Sequence, residues 1–193
     1  MKKITLEKWI KELNELKEQG IKVISSNTLR QKLGLNKDAF KVAVWRLEKK
    51  GFLIRLNRRW IAIDKRDIWK VIPVVWGPAY ISMEWALHYH SVLDQRYYVF
   101  TCVTTKRPRI IKSKIGDIVL KHIKEDLFFG YDPNFIAHPE KALLDILYLK
   151  REMPYGELNL EFLDSEKLQR YSEKYPNWIQ KKIREIILAI EAS

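Results

Sequence analysis

The chain has 193 residues, 47% of them hydrophobic and 12% aromatic, enough to bury one good core or two modest ones and too much for a disordered tail protein. A single cysteine, Cys102, excludes a disulfide framework and a Cys-based zinc site made by this chain alone, and no apolar run approaches the roughly 18 residues of a membrane span, so a soluble protein of the reducing cytoplasm is expected. The net charge of +12 is unevenly placed: residues 1–66 hold 18 Lys and Arg against 7 Asp and Glu, while residues 67–193 hold 18 against 17. A positive field concentrated on one small module suits a polyanion, and no aromatic-plus-basic helix face is long enough to lie on a membrane instead.

In chain order, Thr5 is placed to cap a first helix that carries Leu6, Trp9, Ile10, Leu13 and Leu16 on one face and ends at Gly20. Ile21 to Ile24 is a short β-prone run. Ser25 or Ser26 then caps a short second helix bearing Leu29 and Leu33, which Gly34 stops, and Leu35 plugs the turn. Asn36 caps a third helix with Phe40, Ala43, Val44 and Leu47 at helical spacing, ended by Gly51. Three helices with the last two joined by Gly-Leu-Asn form the helix-turn-helix pattern. Phe52–Arg55 and Trp60–Ile63 are β-rich, and Leu56–Arg59 between them reads as a hairpin turn, the wing.

If Phe40, Ala43, Val44 and Leu47 face inward, Lys37, Asp38, Lys41, Trp45 and Arg46 face out. Lys and Arg there suit phosphates or guanine edges, and Trp45 suits a thymine methyl or a sugar. Asn57, Arg58 and Arg59 at the wing would reach backbone or minor groove. The plainer alternatives are a solvated helix face for Lys37 and Lys41, and a core or interface role for Trp45.

Asp64-Lys65-Arg66-Asp67 marks a composition break. The expectation is therefore a winged helix-turn-helix over residues 1–66 and a larger mixed α+β domain over residues 67–193 that ends in helices. In that second part Ser82 is placed to cap a helix to about His90. Tyr97–Thr104, Ile110-Ile111 and Ile118–Ile123 read as strands, with Gly116-Asp117 as the hairpin between the last two, and Phe135–Ala137 reads as a further short strand. Pro139 opens a helix to Lys150, Asp164 caps another and Asn177 a last one.

Chemistry-bearing motifs are scarce there. His88 and His90, two apart on a helix, cannot chelate one metal, and no glycine-rich phosphate loop is present, so neither metal nor cofactor is expected. The acidic-x-Lys triplets that a nuclease would want on a strand, Glu15-Leu16-Lys17 and Glu48-Lys49-Lys50, fall on helices. No enzymatic activity is expected. Glu140 and Asp145 read as capping or solvated groups on the Pro139 helix. Lys106, Arg107, Arg109, Lys112 and Lys114 form a local positive cluster: a second phosphate contact, an interface for an acidic partner, or a solvated loop.

The ordered set Gly77-Pro78-Ala79-Tyr80-Ile81-Ser82, Ala86-Leu87-His88-Tyr89-His90, Thr104-Thr105-Lys106-Arg107, Phe128-Phe129-Gly130 and Ile136 to Asp145, with Pro139-Glu140-Lys141-Ala142-Leu143-Leu144-Asp145 as its sharpest piece, resembles the AbiEi family of antitoxin-type transcriptional regulators. The resemblance spans nearly the whole chain. It implies an antitoxin of a type IV toxin–antitoxin or abortive-infection system, a repressor that binds double-stranded DNA at its own promoter through the winged helix. The C-terminal domain of such a protein counteracts a neighbouring nucleotidyltransferase toxin. The alternative is a stand-alone regulator whose second domain binds a ligand or forms a homodimer, and the residues name no dimer interface.

Overall fold

A computed structural model describes residues 4–154 and 156–191, and the chain divides into two units. One runs to Val71 and takes in Ser113–Ile115; the other holds Ile72–Lys112 and the chain from Gly116 onward. The described residues form a mixed α+β structure with eight α-helices and two sheets.

The first unit begins with α1 (Leu6–Glu18), whose first turn is capped by the Thr5 hydroxyl, which accepts from the Lys8 amide at 3.4 Å. Trp9, Leu13 and Leu16 fall on its buried face. β1 (Val23–Ser25) runs directly into α2 (Ser26–Lys32). Ser25 rather than Ser26 is the cap, accepting from the Thr28 amide at 3.0 Å, while the Ser26 amide is taken by the Arg59 carbonyl. Gly34 ends the turn after α2 at φ +62°, a left-handed conformation a side chain would resist. Leu35 beside it is buried, and Arg30 donates to its carbonyl at 3.1 Å. Asn36 then caps α3 (Lys37–Lys49), its side-chain oxygen accepting from the Ala39 amide at 2.8 Å. β2 (Ile54–Arg55) and β3 (Trp60–Ala62) form the hairpin, and the sheet order is β1-β3-β2, with Ile24 opposite Ile61. Phe40, Val44 and Leu47 from α3 join Trp9, Leu13, Leu29 and Ile61 in one core. At the end of β3, hydrogen bonds from the Arg66 side chain and amide hold the Asp64 carboxyl down to about 2.

The second unit follows a 3-10 turn at Ile68–Val71. It contains α4 (Ile72–Trp76), β4 (Tyr80–Ile81), α5 (Met83–Tyr89), β5 (Phe100–Thr104), β6 (Arg109–Ser113) except its last residue, β7 (Gly116–His122), α6 (Pro139–Lys150), α7 (Ser165–Ser172) and α8 (Asn177–Glu191). Its sheet order is β4-β5-β7-β6, with β5 parallel to β7 and β4 antiparallel to β5.

Several sequence expectations are corrected here. The strand expected from Tyr97 starts at Phe100, because β7 offers its first partner, Ile118, to that residue, and Tyr98 stays 78% exposed. Lys114-Ile115 makes the β6–β7 turn, and Gly116-Asp117 already belongs to β7. Phe135 sits at φ +61°, outside extended geometry, so Phe135–Ala137 contributes bridges to Ile81 and Tyr131 rather than a strand. Asn177 is the first residue of α8 and not its cap; the Pro176 carbonyl accepts from the Ile179 and Gln180 amides. Ser82 precedes α5 without capping it. The Trp85 amide goes to the Thr101 hydroxyl instead, at 3.4 Å, while Thr101 donates to the Ser82 carbonyl.

Glu140 and Asp145 are likewise not solvated. Glu140 is buried, accepts from the Asp164 amide at 3.1 Å and lies 3.2 Å from the Lys167 ammonium. Asp145 is wholly buried and accepts four hydrogen bonds: from Tyr80 (2.9 Å) and Ser82 (2.7 Å) on Oδ2, and from Tyr175 (3.1 Å) and Lys141 on Oδ1. Lys141, also wholly buried, donates to the Tyr175 hydroxyl at 2.7 Å and faces the rings of Tyr80, Phe129 and Tyr175 at 5.1–5.4 Å. Burial pulls the Lys141 ammonium down, opposed by Asp145. Gly130, at φ +74°, gives its stem room, since a Cβ there would lie 3.1 Å from Lys141 and from Tyr171.

Removing one member of a buried ion pair leaves the other charge uncompensated, at a cost of about 3–5 kcal/mol, whereas an apolar replacement of both is often near neutral. Asp145→Leu and Lys141→Met are each expected to destabilise the protein on that scale in urea unfolding followed by circular dichroism. The double variant should cost much less than the sum; additive losses would show that the two groups act independently.

Candidate nucleic-acid interface

α3 is amphipathic, and its thirteen residues span about 20 Å. With Phe40, Val44 and Leu47 buried, helical geometry turns Lys37, Asp38, Lys41, Trp45 and Arg46 outward, and all five are exposed. Lys37, Lys41 and Trp45 follow one another at four-residue spacing, so they stand along one side of the helix. Trp45 is 54% exposed, which removes the core reading of this residue. Its ring carries the Lys49 ammonium 4.4 Å from the centroid. The ammonium therefore lies within cation–π range of an exposed indole face.

Two members of this face were not singled out from the sequence. Val42, 47% exposed, lies between Asp38 and Trp45 at the centre of the outward surface, and Lys49 lies one turn beyond Trp45. Both follow from the spacing, since Val42 is four residues after Asp38 and Lys49 four after Trp45. Asp38 is the one acid among these residues, in the first turn where the helix dipole favours it.

The tip of the β2–β3 hairpin is built by Asn57. Its side-chain oxygen accepts from the Arg59 amide at 2.8 Å and from the Trp60 amide at 2.9 Å, closing the turn and leaving its NH2 for other partners. Arg58 and Arg59 are exposed beyond it. The Arg59 guanidinium stands over the Trp60 ring at 5.2 Å, and the Arg59 carbonyl accepts from the Ser26 amide at 2.6 Å, which ties the tip to the first turn of α2.

The second basic cluster is less uniform than its sequence suggests. Lys106 and Arg107 are exposed before Pro108, whereas the exposed Arg109 spends one donor on the Trp76 carbonyl at 2.9 Å, and Lys112 is paired with Asp117 at 2.7 Å. His88 in α5 and His90 just past its end both meet backbone carbonyls: His88 Nδ1 lies 3.1 Å from that of Leu93 and His90 Nε2 lies 2.9 Å from that of Ala137. Among the described residues no group of His, Cys, Asp and Glu is placed to hold a metal ion. The buried Cys102 thiol is pushed up by desolvation, away from the thiolate a nucleophile needs. No helix among the described residues is long and apolar enough to cross a membrane.

Compared with known protein families and with curated proteins, the chain matches no family model and no curated sequence.

The Lys37→Ala/Lys41→Ala double variant removes exposed side chains that take no part in the core, so its thermal midpoint should stay within a few degrees of the parent. In fluorescence anisotropy against duplex DNA, the slope of log affinity on log salt should fall by about two, one for each phosphate no longer neutralised. An unchanged slope would remove these residues from the interface.

Proposed function

We propose that the first unit is a winged helix-turn-helix that binds double-stranded DNA, and that the protein is a non-enzymatic, cytoplasmic transcriptional autorepressor of the AbiEi type. On this reading α3 enters the major groove with Lys37, Lys41, Trp45 and Arg46, and Asn57, Arg58 and Arg59 position the wing. The observation that carries the proposal is a coincidence of charge and exposure: nearly all the excess charge lies in residues 1–66, and one face of α3 there is basic, exposed and free of core duties. Lys106, Arg107 and Arg109 offer a second, weaker contact to phosphate.

The antitoxin role of the second unit, against a nucleotidyltransferase toxin, rests on the residues from Gly77 to Asp145 that resemble the family. The second reading, a stand-alone regulator whose second unit takes a ligand or another copy, draws on a groove of about 330 Å³ in that unit. Phe128, Tyr131 and Phe135 line it, and Phe135 is 40% exposed at a left-handed backbone position that a bulky residue rarely occupies. A nucleotidyltransferase gene beside this one, whose product is toxic alone and harmless with this protein, separates the antitoxin from the stand-alone regulator.

The direct test titrates the protein into a duplex from its own promoter and into a scrambled duplex of equal length at two salt concentrations. Salt-sensitive binding that prefers the promoter by about a thousandfold is expected. Equal, weak binding to both would overturn the autorepressor and leave the basic helix as a nonspecific anchor.

A further inference from the structure

The first unit contains a cleft of about 240 Å³ between the start of α1 and the C-terminal half of α3. Trp9, Ala43 and Leu47 line it, with Ile4 and Leu6 completing the apolar wall and Arg46 and Lys50 supplying its charged members. Leu6, the first residue of α1, is 39% exposed, and Ile4, just before the cap, is partly so. Ala43 is the small residue in a helical row whose other inward members are Phe40, Val44 and Leu47, and its short side chain leaves the space.

The charges are as particular as the shape. Ala43, Arg46, Leu47 and Lys50 repeat at i, i+3, i+4 and i+7, so the two cations share a stripe with the apolar residues that line the cleft. Arg46 and Lys50 are four apart and repel each other, and among the described residues neither is in an ion pair and no acid lines the cleft. The helix dipole favours cations at this end, but it does not account for an open apolar cleft beside them. An apolar cavity carrying two uncompensated cations matches a ligand with a hydrocarbon body and one anionic head.

We propose that this cleft is a binding site for a small amphipathic monoanion, an alkyl or aryl carboxylate, whose chain lies on Trp9, Ala43 and Leu47 and whose carboxylate bridges Arg46 and Lys50. Arg46 also belongs to the outward face assigned to DNA, so, resting on the DNA-binding reading above, an occupied cleft withdraws one cation from the duplex. The protein is then a repressor released by a hydrophobic acid. The site itself stands on the cleft alone and does not need DNA.

The test uses the full chain and octanoate, with octanol as the uncharged control of the same length. Without DNA, octanoate is expected to give saturable amide and indole shifts at Trp9, Ala43 and Leu47 in two-dimensional NMR, with octanol at least tenfold weaker. Arg46→Gln/Lys50→Gln should bring octanoate down to the octanol level without altering the fold, because both side chains reach solvent. Ala43→Leu, which fills the space but keeps the charges, should abolish both. Equal responses to octanoate and octanol, or shifts that survive both variants, would overturn the site. With promoter duplex present, saturating octanoate should raise the Kd for DNA several-fold in the parent and leave Ala43→Leu unaffected; an unchanged Kd in the parent would overturn the release. A protein that never prefers its promoter removes the DNA reading, while the DNA-free titration still decides the site.

Discussion

The second unit is organised around one carboxylate. Asp145 has no access to water, and each of its oxygens accepts two hydrogen bonds from groups far apart in the chain: Tyr80 and Ser82 at the edge strand and the start of α5, Lys141 one turn back on α6, and Tyr175 between α7 and α8. A buried carboxylate tolerates no missing partner, since an unpaired charge in a protein interior costs several kcal/mol. The sheet edge, the central helix and the C-terminal helix pair must therefore take up one mutual arrangement or leave a charge stranded. Burial and the nearby Asp145 charge push the Tyr80 and Tyr175 hydroxyls far up, which keeps them protonated and available as donors.

Lys141 completes that arrangement because it has nowhere else to send its charge. Two of its donors go to Asp145 and Tyr175, and the faces of three aromatic rings surround the rest of the ammonium. Gly130 makes room for its stem. Tyr80 in turn stacks on Tyr131, and Tyr131 on Phe135, so a continuous row of rings leads from the buried pair to an exposed aromatic.

The first unit follows the opposite plan, with an apolar interior and its charge outside. α3 carries three stripes with different duties. Phe40, Val44 and Leu47 anchor it in the core, Lys37, Lys41 and Trp45 stand outward, and Ala43 with Arg46 and Lys50 borders the cleft beside α1. One helix can serve three surfaces because a 3.6-residue period distributes thirteen residues around the whole cylinder.

Much of this was legible in the chain. Caps are local, so Thr5, Asn36 and Asp164 could be read as helix starts from a few neighbouring residues, and each side chain does accept the amide hydrogen bond that makes it one. The outward set on α3 followed from periodicity, and the excess charge in the first 66 residues from a count of charged residues; Val42 and Lys49 were equally derivable from the helical spacing. What periodicity could not supply is partnership across distance. Strand limits depended on where a neighbour begins, which is why Tyr97–Val99 fell outside β5. Ser82 looked like a cap and became a donor to a carboxylate 63 residues away. Glu140 and Asp145 looked like helix-surface acids because helical spacing tells which residues share a face, not how many faces are covered, and α6 is buried from Glu140 to Leu147. The sequence by itself determined the helices of the first unit, the caps at Thr5, Asn36 and Asp164, and the side of α3 that carries charge, because those depend on residues within a turn or two. Tertiary structure alone decided that one lysine and one aspartate lie in the dry centre of the second unit, because burial is set by every element that packs around them.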